Sequence, residues 1–424
     1  MHGTRQTFNR PTALVLGLAA TGVCAGCAGI ALSWLLHGVQ HLAFGYGFDS
    51  LTASASFLQG VEQAAPRRRV FALALCGLVA GFGWFFLFRA GRTLVSIPSA
   101  ASVPPRPMPA VATVAHALLQ IITVGLGSPL GRESAPRELG ALCAGRIGNR
   151  LGLGDEDTAL LVACGSGAGL AAVYNVPLAG ALFALETLLV SLPGRRAPAV
   201  LFVCVLGSLT AWAGLGDART YIVPPINPSA SLLLWAVFAG PLLGAAAWLF
   251  ARATARARKS AVSGPGRIPA CLANFFLIGL LAVPFPELLG NGKGPLQLSL
   301  VSSLTPALAA ALLVLRFAVT VSTCKAGAFG GLITPSLLQG ALAGILLGGC
   351  WSLFFPPILE SHLALTGSAA FLAAAMSMPL TAVVLIYELT HANHDAFYPV
   401  ILATAGAFAA ARLLDRVCGK PGGA

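Results

Sequence analysis

Charge is what this sequence has least of. Only 9% of its 424 residues are Asp, Glu, Lys or Arg, against 57% hydrophobic. A water-soluble globular chain carries about a quarter charged residues, so that class is excluded. Acidic residues number 14, which leaves few carboxylates for acid–base or metal chemistry. Ten cysteines supply a single C-x-x-C, Cys24 and Cys27, inside an apolar run. With no second pair, that spacing reads as packing and not as a metal or redox centre. His391, His394 and Asp395 are close in sequence but fall in what reads as a loop between helices. No metal or other cofactor is expected. An intramembrane enzyme, with Glu133 or the His391/His394 pair as its working groups, lacks any nucleophile–base pairing on neighbouring helices to support it.

What the sequence has instead is apolar length. Crossing a bilayer takes about 17–25 such residues. Clear runs occupy 12–36, 70–88, 197–214, 232–250, 307–321 and 400–414. Others are broken by the 49 glycines and 28 prolines, and the whole predicts about ten crossings or re-entrant pieces. The first run follows Arg5 and Arg10. It is too long for a signal-peptide core and has no small-residue cleavage site, so it reads as a retained span. The net charge of +12 sits in short clusters beside apolar runs: Arg67 to Arg69, Arg195 and Arg196, Arg252 to Lys259, Arg412 to Lys420. Such flanks set membrane orientation, and no nucleic-acid partner is expected. The fold class is therefore an all-α, multi-pass membrane protein. It is expected to form a single membrane domain over residues 1–424, without a soluble regulatory domain after Lys420.

An internal repeat divides it. GSGAGLAAVYNVPLAGALFALE (Gly165 to Glu186) and GSAAFLAAAMSMPLTAVVLIYE (Gly367 to Glu388) share nine identities without a gap. Upstream in each half, at nearly the same offset, come GRESAP (Gly131 to Pro136) and GGLITP (Gly330 to Pro335). The first repeat is placed at about 12–225 and the second at about 226–421. Paired interrupted helices in two halves point to a transport site at the repeat interface. Broken helices survive at membrane depth only where protein or a water-filled cavity satisfies the freed backbone.

Both Gly-x-x-x-x-Pro motifs read as helix starts. Proline is tolerated in a first turn, where its missing N–H has no partner to lose. Glycines ahead of it let the backbone approach closely. Unpaired N–H groups and a dipole end worth about +0.5 charge make such a start an anion site. Within GRESAPRELG, Glu133 is itself an anion able to occupy that place. When protonated or displaced, it would open the path and serve as gate and proton carrier together. A salt bridge to Arg132 or Arg137, or a solvated loop, is the structural alternative.

GRESAP, GGLITP, LLGNGKG (Leu288 to Gly294) and GLAAVYNVPLAGALFALE (Gly169 to Glu186), in this order, resemble the CLC family of chloride channels and proton-coupled chloride antiporters. The similarity spans about residues 12–421. It implies a homodimer with one pathway per subunit, each built from two inverted repeats of tilted, partly re-entrant helices. It also implies anion coordination by helix N-termini and gating by Glu133. Gly131, Arg132 and Pro136 match the first motif. Gly331, Leu332, Ile333 and Pro335 fall where backbone amides contact the anion, with Ile333 in a place often held by Phe.

The departures are as informative. The family's Gly-Ser-Gly-Ile-Pro is matched by LVSIP, so Val95 takes the anion-contacting serine position, with Ser96, Ile97 and Pro98 following. The tyrosine expected just after Lys420 and Pro421 is replaced by Gly422 and Gly423. The antiporters' inner proton glutamate is Thr187, and Ser99 and Ala101 replace glutamates near the first motif. These losses favour a passive chloride conduit, with proton-coupled exchange as the alternative and weakened selectivity among chloride, bromide, nitrate and thiocyanate. A transporter for another anion on a different inverted-repeat fold is the outside reading. A bacterial inner membrane is the expected location.

Overall fold

The computed structural model describes residues 10–45, 57–91, 93–189 and 193–419. Seventeen α-helices account for most of them. The first nine are α1 (Arg10–Phe44), α2 (Phe57–Gln63), α3 (Pro66–Arg89), α4 (Ile97–Ala100), α5 (Ala110–Gly125), α6 (Ser134–Arg150), α7 (Asp155–Tyr174), α8 (Pro177–Thr187) and α9 (Pro193–Leu215). Then come α10 (Ala230–Lys259), α11 (Arg267–Leu281), α12 (Lys293–Leu300), α13 (Pro306–Ala326), α14 (Ile333–Trp351), α15 (Glu360–Met376), α16 (Pro379–Thr390) and α17 (Phe397–Cys418). No strand forms among the described residues. Nine helical stretches among them are long and apolar enough to cross a membrane. Six contain the runs read from the sequence. The other three, Asp155–Tyr174, Gly264–Leu281 and Ile333–Trp351, are glycine- or proline-bearing segments whose hydropathy is diluted.

The internal repeat is reproduced in backbone conformation. α7 stops at Asn175 and α15 at Ser377, both left-handed with φ of 56° and 55°, a turn that ends a helix. Val176 and Met378 follow with φ/ψ of −133°/67° and −135°/69°. Pro177 and Pro379 then open the next helices, where a fixed φ and a missing N–H suit the first position. Pro136 and Pro335 likewise stand in the first turns of α6 and α14.

By compactness the chain forms two units. The first comprises Met1–Ser33, Arg92–Ala117 and Ala135–Asp217; the second comprises Trp34–Gly91, Leu118–Ser134 and Ala218–Ala424. In the first, α7 is buried from Thr158 to Tyr174 and packs against α8 and α9. Its crossing with α6 is made by glycine: a Cβ on Gly140 would strike the Gly165 carbonyl, and one on Gly165 the Gly140 carbonyl. The second unit repeats the device, with Gly340 of α14 against Gly367 of α15. Gly240 and Gly244 of α10 similarly meet the backbone of Ala403 and Ala407 on α17. Small residues of this kind let membrane helices approach closely enough for van der Waals packing to hold them. Large apolar side chains point outward instead, among them Phe71, Phe238 and Trp34, as a hydrocarbon solvent allows.

The Gly140 and Gly367 contacts are backbone on backbone, so no neighbouring side chain can yield. Gly140→Val and Gly367→Val should each cost about 1–3 kcal/mol or more of stability. Gly349→Ala, where nothing lies within 4 Å of the added Cβ, should be neutral or slightly stabilising. Heating detergent-solubilised variants and following loss of the monodisperse species checks the contrast.

Candidate functional site

The glycines of the two Gly-x-x-x-x-Pro motifs meet in the second unit. Gly131 N–H donates to the Gly331 carbonyl at 2.7 Å and Gly331 N–H returns to the Gly131 carbonyl at 2.8 Å. This bridge sets the loops that open α6 and α14 side by side. The loop at 127–131 is fixed at its other end too, where Gly290 N–H donates to the Gly127 carbonyl at 2.9 Å. Gly290 belongs to the LLGNGKG stretch, which is held from behind by buried Arg316. That guanidinium donates to the carbonyls of Gly290, Leu289 and Glu287. Arg258, at the end of α10, donates to the Gly330 carbonyl at 2.8 Å. The Gly330 and Gly331 carbonyls, just before the α14 start, are thereby both engaged.

Glu133 lies in this frame with 0% exposure. Its Oε1 accepts from the N–H of Ile333, the first residue of α14, at 2.6 Å. That N–H is one of the four that an α-helix leaves without an internal acceptor, and the helix dipole adds positive potential there. A charge-assisted bond of this kind is short and stronger than a neutral one. The seat exists only because it is lined by glycine. A Cβ built on Gly131 or on Gly331 would overlap the Glu133 carboxylate. The carboxylate thus rests where helix-start amides would hold a free anion.

The four ionisable groups of residues 130–140 take separate surroundings. Arg132 is half-buried. Arg137 lays its guanidinium over the Phe183 ring at 4.1 Å. Glu138 Oε2 is 2.8 Å from His116 Nδ1 on α5. On the α14 side, Leu332 precedes the helix, Ile333 opens it, and Pro335 is buried in its first turn.

Val95 to Pro98 and Thr187 belong to the first unit. Val95 packs against its apolar core with Ile97. Ser96 is exposed and caps the four-residue α4: its hydroxyl donates to Ser99 Oγ at 2.9 Å and accepts from Ser99 N–H at 3.4 Å. Thr187, the last residue of α8, donates its hydroxyl to the Phe183 carbonyl of its own helix at 2.6 Å. Gly422 and Gly423 lie outside the described residues. His391 ends α16 in a left-handed turn, and His394 packs edge-on against Phe397 and Tyr398. Among the described residues no group of three or more His, Cys, Asp or Glu gathers to hold a metal ion.

Over residues 71–412 the chain matches the family described as voltage gated chloride channel. It belongs to that family, the CLC proteins. Among curated relatives, a voltage-gated ClC-type chloride channel ClcB of Citrobacter koseri is 28% identical over 348 residues, covering 80% of this chain and 82% of that protein. A protein of the same name in Salmonella typhimurium is 28% identical over 356 residues, with the same coverage. Of solved structures, a slow cyanobacterial Cl−/H+ antiporter superposes with a TM-score of 0.81 at 20% identity, over 96% of each chain. A CLC-type fluoride/proton antiporter superposes with a TM-score of 0.73 at 20% identity, covering 94% of this chain and 95% of that one. The fold is the CLC fold, an all-α multi-pass membrane protein.

Three features of this CLC site were not read from the sequence. Arg258 looked like one more flanking cation, yet its partner is the Gly330 carbonyl. Arg316 lies inside an apolar run and shares no motif with the loop it holds. His116 pairs with a carboxylate 22 residues away, and its only sequence signal is an ionisable residue within an apolar stretch. Gly331→Ala should expel the Glu133 carboxylate from Ile333 N–H while leaving the helices in place. A cryo-EM map of the variant with Glu133 density still at the α14 start would contradict the role given to the glycine.

Proposed function

We propose that this CLC protein moves chloride and related small anions across the bilayer, with the Glu133 carboxylate as the gate. The observation that carries the reading is the bond from Ile333 N–H to Glu133, a tethered anion held by a helix start. While charged, the side chain takes the place of a mobile anion. Protonation removes its charge and weakens its hold on the N–H, so chloride from solution replaces it and the path opens. Binding by amides and a dipole end, with no full positive charge in contact, keeps the anion releasable, as conduction requires. Gly131, Arg132 and Pro136 frame the gate, and Gly331, Leu332, Ile333 and Pro335 frame the anion seat. The protein acts as a transporter and not as an enzyme. A homodimer in a bacterial inner membrane belongs to the same reading, and of the two only the bacterial location has support from the curated relatives, which are bacterial.

Two finer readings rest on different residues. Val95 provides no hydroxyl for an anion, and Thr187 spends its own on Phe183; both favour passive conduction. Favouring exchange with protons is the buried His116–Glu138 pair, a titratable couple in a chain poor in charge.

Chloride efflux from proteoliposomes, with and without an imposed pH gradient, tests the proposal. Glu133→Gln mimics the protonated gate and should conduct at or above the wild-type rate with no pH dependence. A variant that keeps the wild-type pH profile would remove Glu133 from the gate, and wild-type vesicles that pass no anion would remove the function.

A further inference from the structure

The Glu133 site leaves a buried ionisable pair, His116 and Glu138, without a task. His116 is 5% exposed. Its side chain on α5 and that of Glu138 on α6 retain 7% and 19% of their surface, with Nδ1 and Oε2 2.8 Å apart. Both residues lie within the first compact unit. Replacing a buried ion pair by apolar residues of similar size is often neutral or stabilising, so packing gives little reason for it.

α5 carries a second observation. Its buried polar residues are Thr113, His116, Gln120 and Thr123, none more than 5% exposed. The spacing of three, four and three places them on one face of the helix, in an otherwise apolar sequence, AVATVAHALLQIITVG. The Thr113 hydroxyl is buried with no hydrogen-bond partner. Such a group costs free energy unless something polar visits it. A polar stripe centred on a titratable pair is an arrangement for passing protons, because each member can donate, accept or hold one.

We infer that His116 and Glu138 form a proton-holding couple that carries protons with the chloride movement, in the place that Thr187 leaves without a carboxylate. The inference rests on the chloride reading above and takes its proton-coupled form. The balance is one proton per cycle. With Nδ1–H donated to the Glu138 carboxylate, Nε2 takes up a proton from water, and a couple of net charge −1 becomes an imidazolium–carboxylate couple of net charge zero. Release from Nε2 restores the first state, while the Nδ1–H···Oε2 bond persists throughout.

Three variants in proteoliposomes test this, with chloride flux and chloride-driven proton movement read together. His116→Gln keeps a hydrogen bond but removes the ring that holds the proton, and Glu138→Gln keeps the hydrogen bond but removes the charge that offsets the imidazolium. His116→Lys keeps an ion pair with Glu138, yet its ordinary pKa of about 10.4 against about 6.5 makes it a poor releaser of protons near neutrality. All three should keep chloride flux within about threefold of wild type, while proton movement per chloride falls about tenfold or more, as this shift in proton release requires. A couple that is merely structural would leave His116→Lys like wild type, and that result overturns the inference. Wild-type vesicles that pass chloride with no proton movement also overturn it, leaving chloride transport standing. Wild-type vesicles that pass no chloride sink the chloride reading itself. Chloride flux in each variant reports that it has folded.

Discussion

The hydrogen bond from Ile333 N–H to the Glu133 carboxylate is the contact on which the site depends. It joins a side chain from the start of one interrupted helix to the backbone start of another, and it needs three conditions at once. The N–H must lack an internal acceptor, which the first residue of a helix guarantees. The carboxylate must reach it with no Cβ in the way, which glycine at 131 and 331 provides. The two loops must also be locked together, which the paired backbone bonds between those same glycines achieve. The glycines therefore serve twice, as bridge and as clearance.

Around that contact the protein spends its scarce cations on carbonyl oxygens. Arg316 takes three from the 287–290 loop and Arg258 takes that of Gly330. Arg69 does the same elsewhere, donating to the carbonyls of Ala64, Ala282 and Glu62. Irregular backbone inside a membrane is costly unless each polar group is satisfied. A planar guanidinium with five donors satisfies several from a single position. Arg316, Arg258 and Arg69 thus hold irregular backbone in place.

Much of this was legible beforehand, and the reasons differ by feature. The repeat showed because Gly, Pro and Glu survive at fixed spacing, and the turns at Asn175 and Ser377 bear out that alignment in backbone angles. Helix starts at GRESAP and GGLITP showed because proline fixes where a first turn can be. Three spans were legible only as apolar segments broken by Gly and Pro; for Asp155–Tyr174 and Ile333–Trp351 the reason is that a helix buried in protein needs no continuous apolar surface. The His116–Glu138 couple escaped because contacts between helices leave no local spacing to read. Arg258 escaped for a related reason: nothing in a basic cluster tells which member turns inward.

The glycine crossings of α6 on α7 and of α14 on α15 bear on what can move. Where main chains touch, no cushion of side chains remains to be compressed or repacked, so those helices have no slack in which to slide past one another. Rearrangement is channelled into the few torsions of an individual residue, and the work of a turnover falls on a lever a few bonds long.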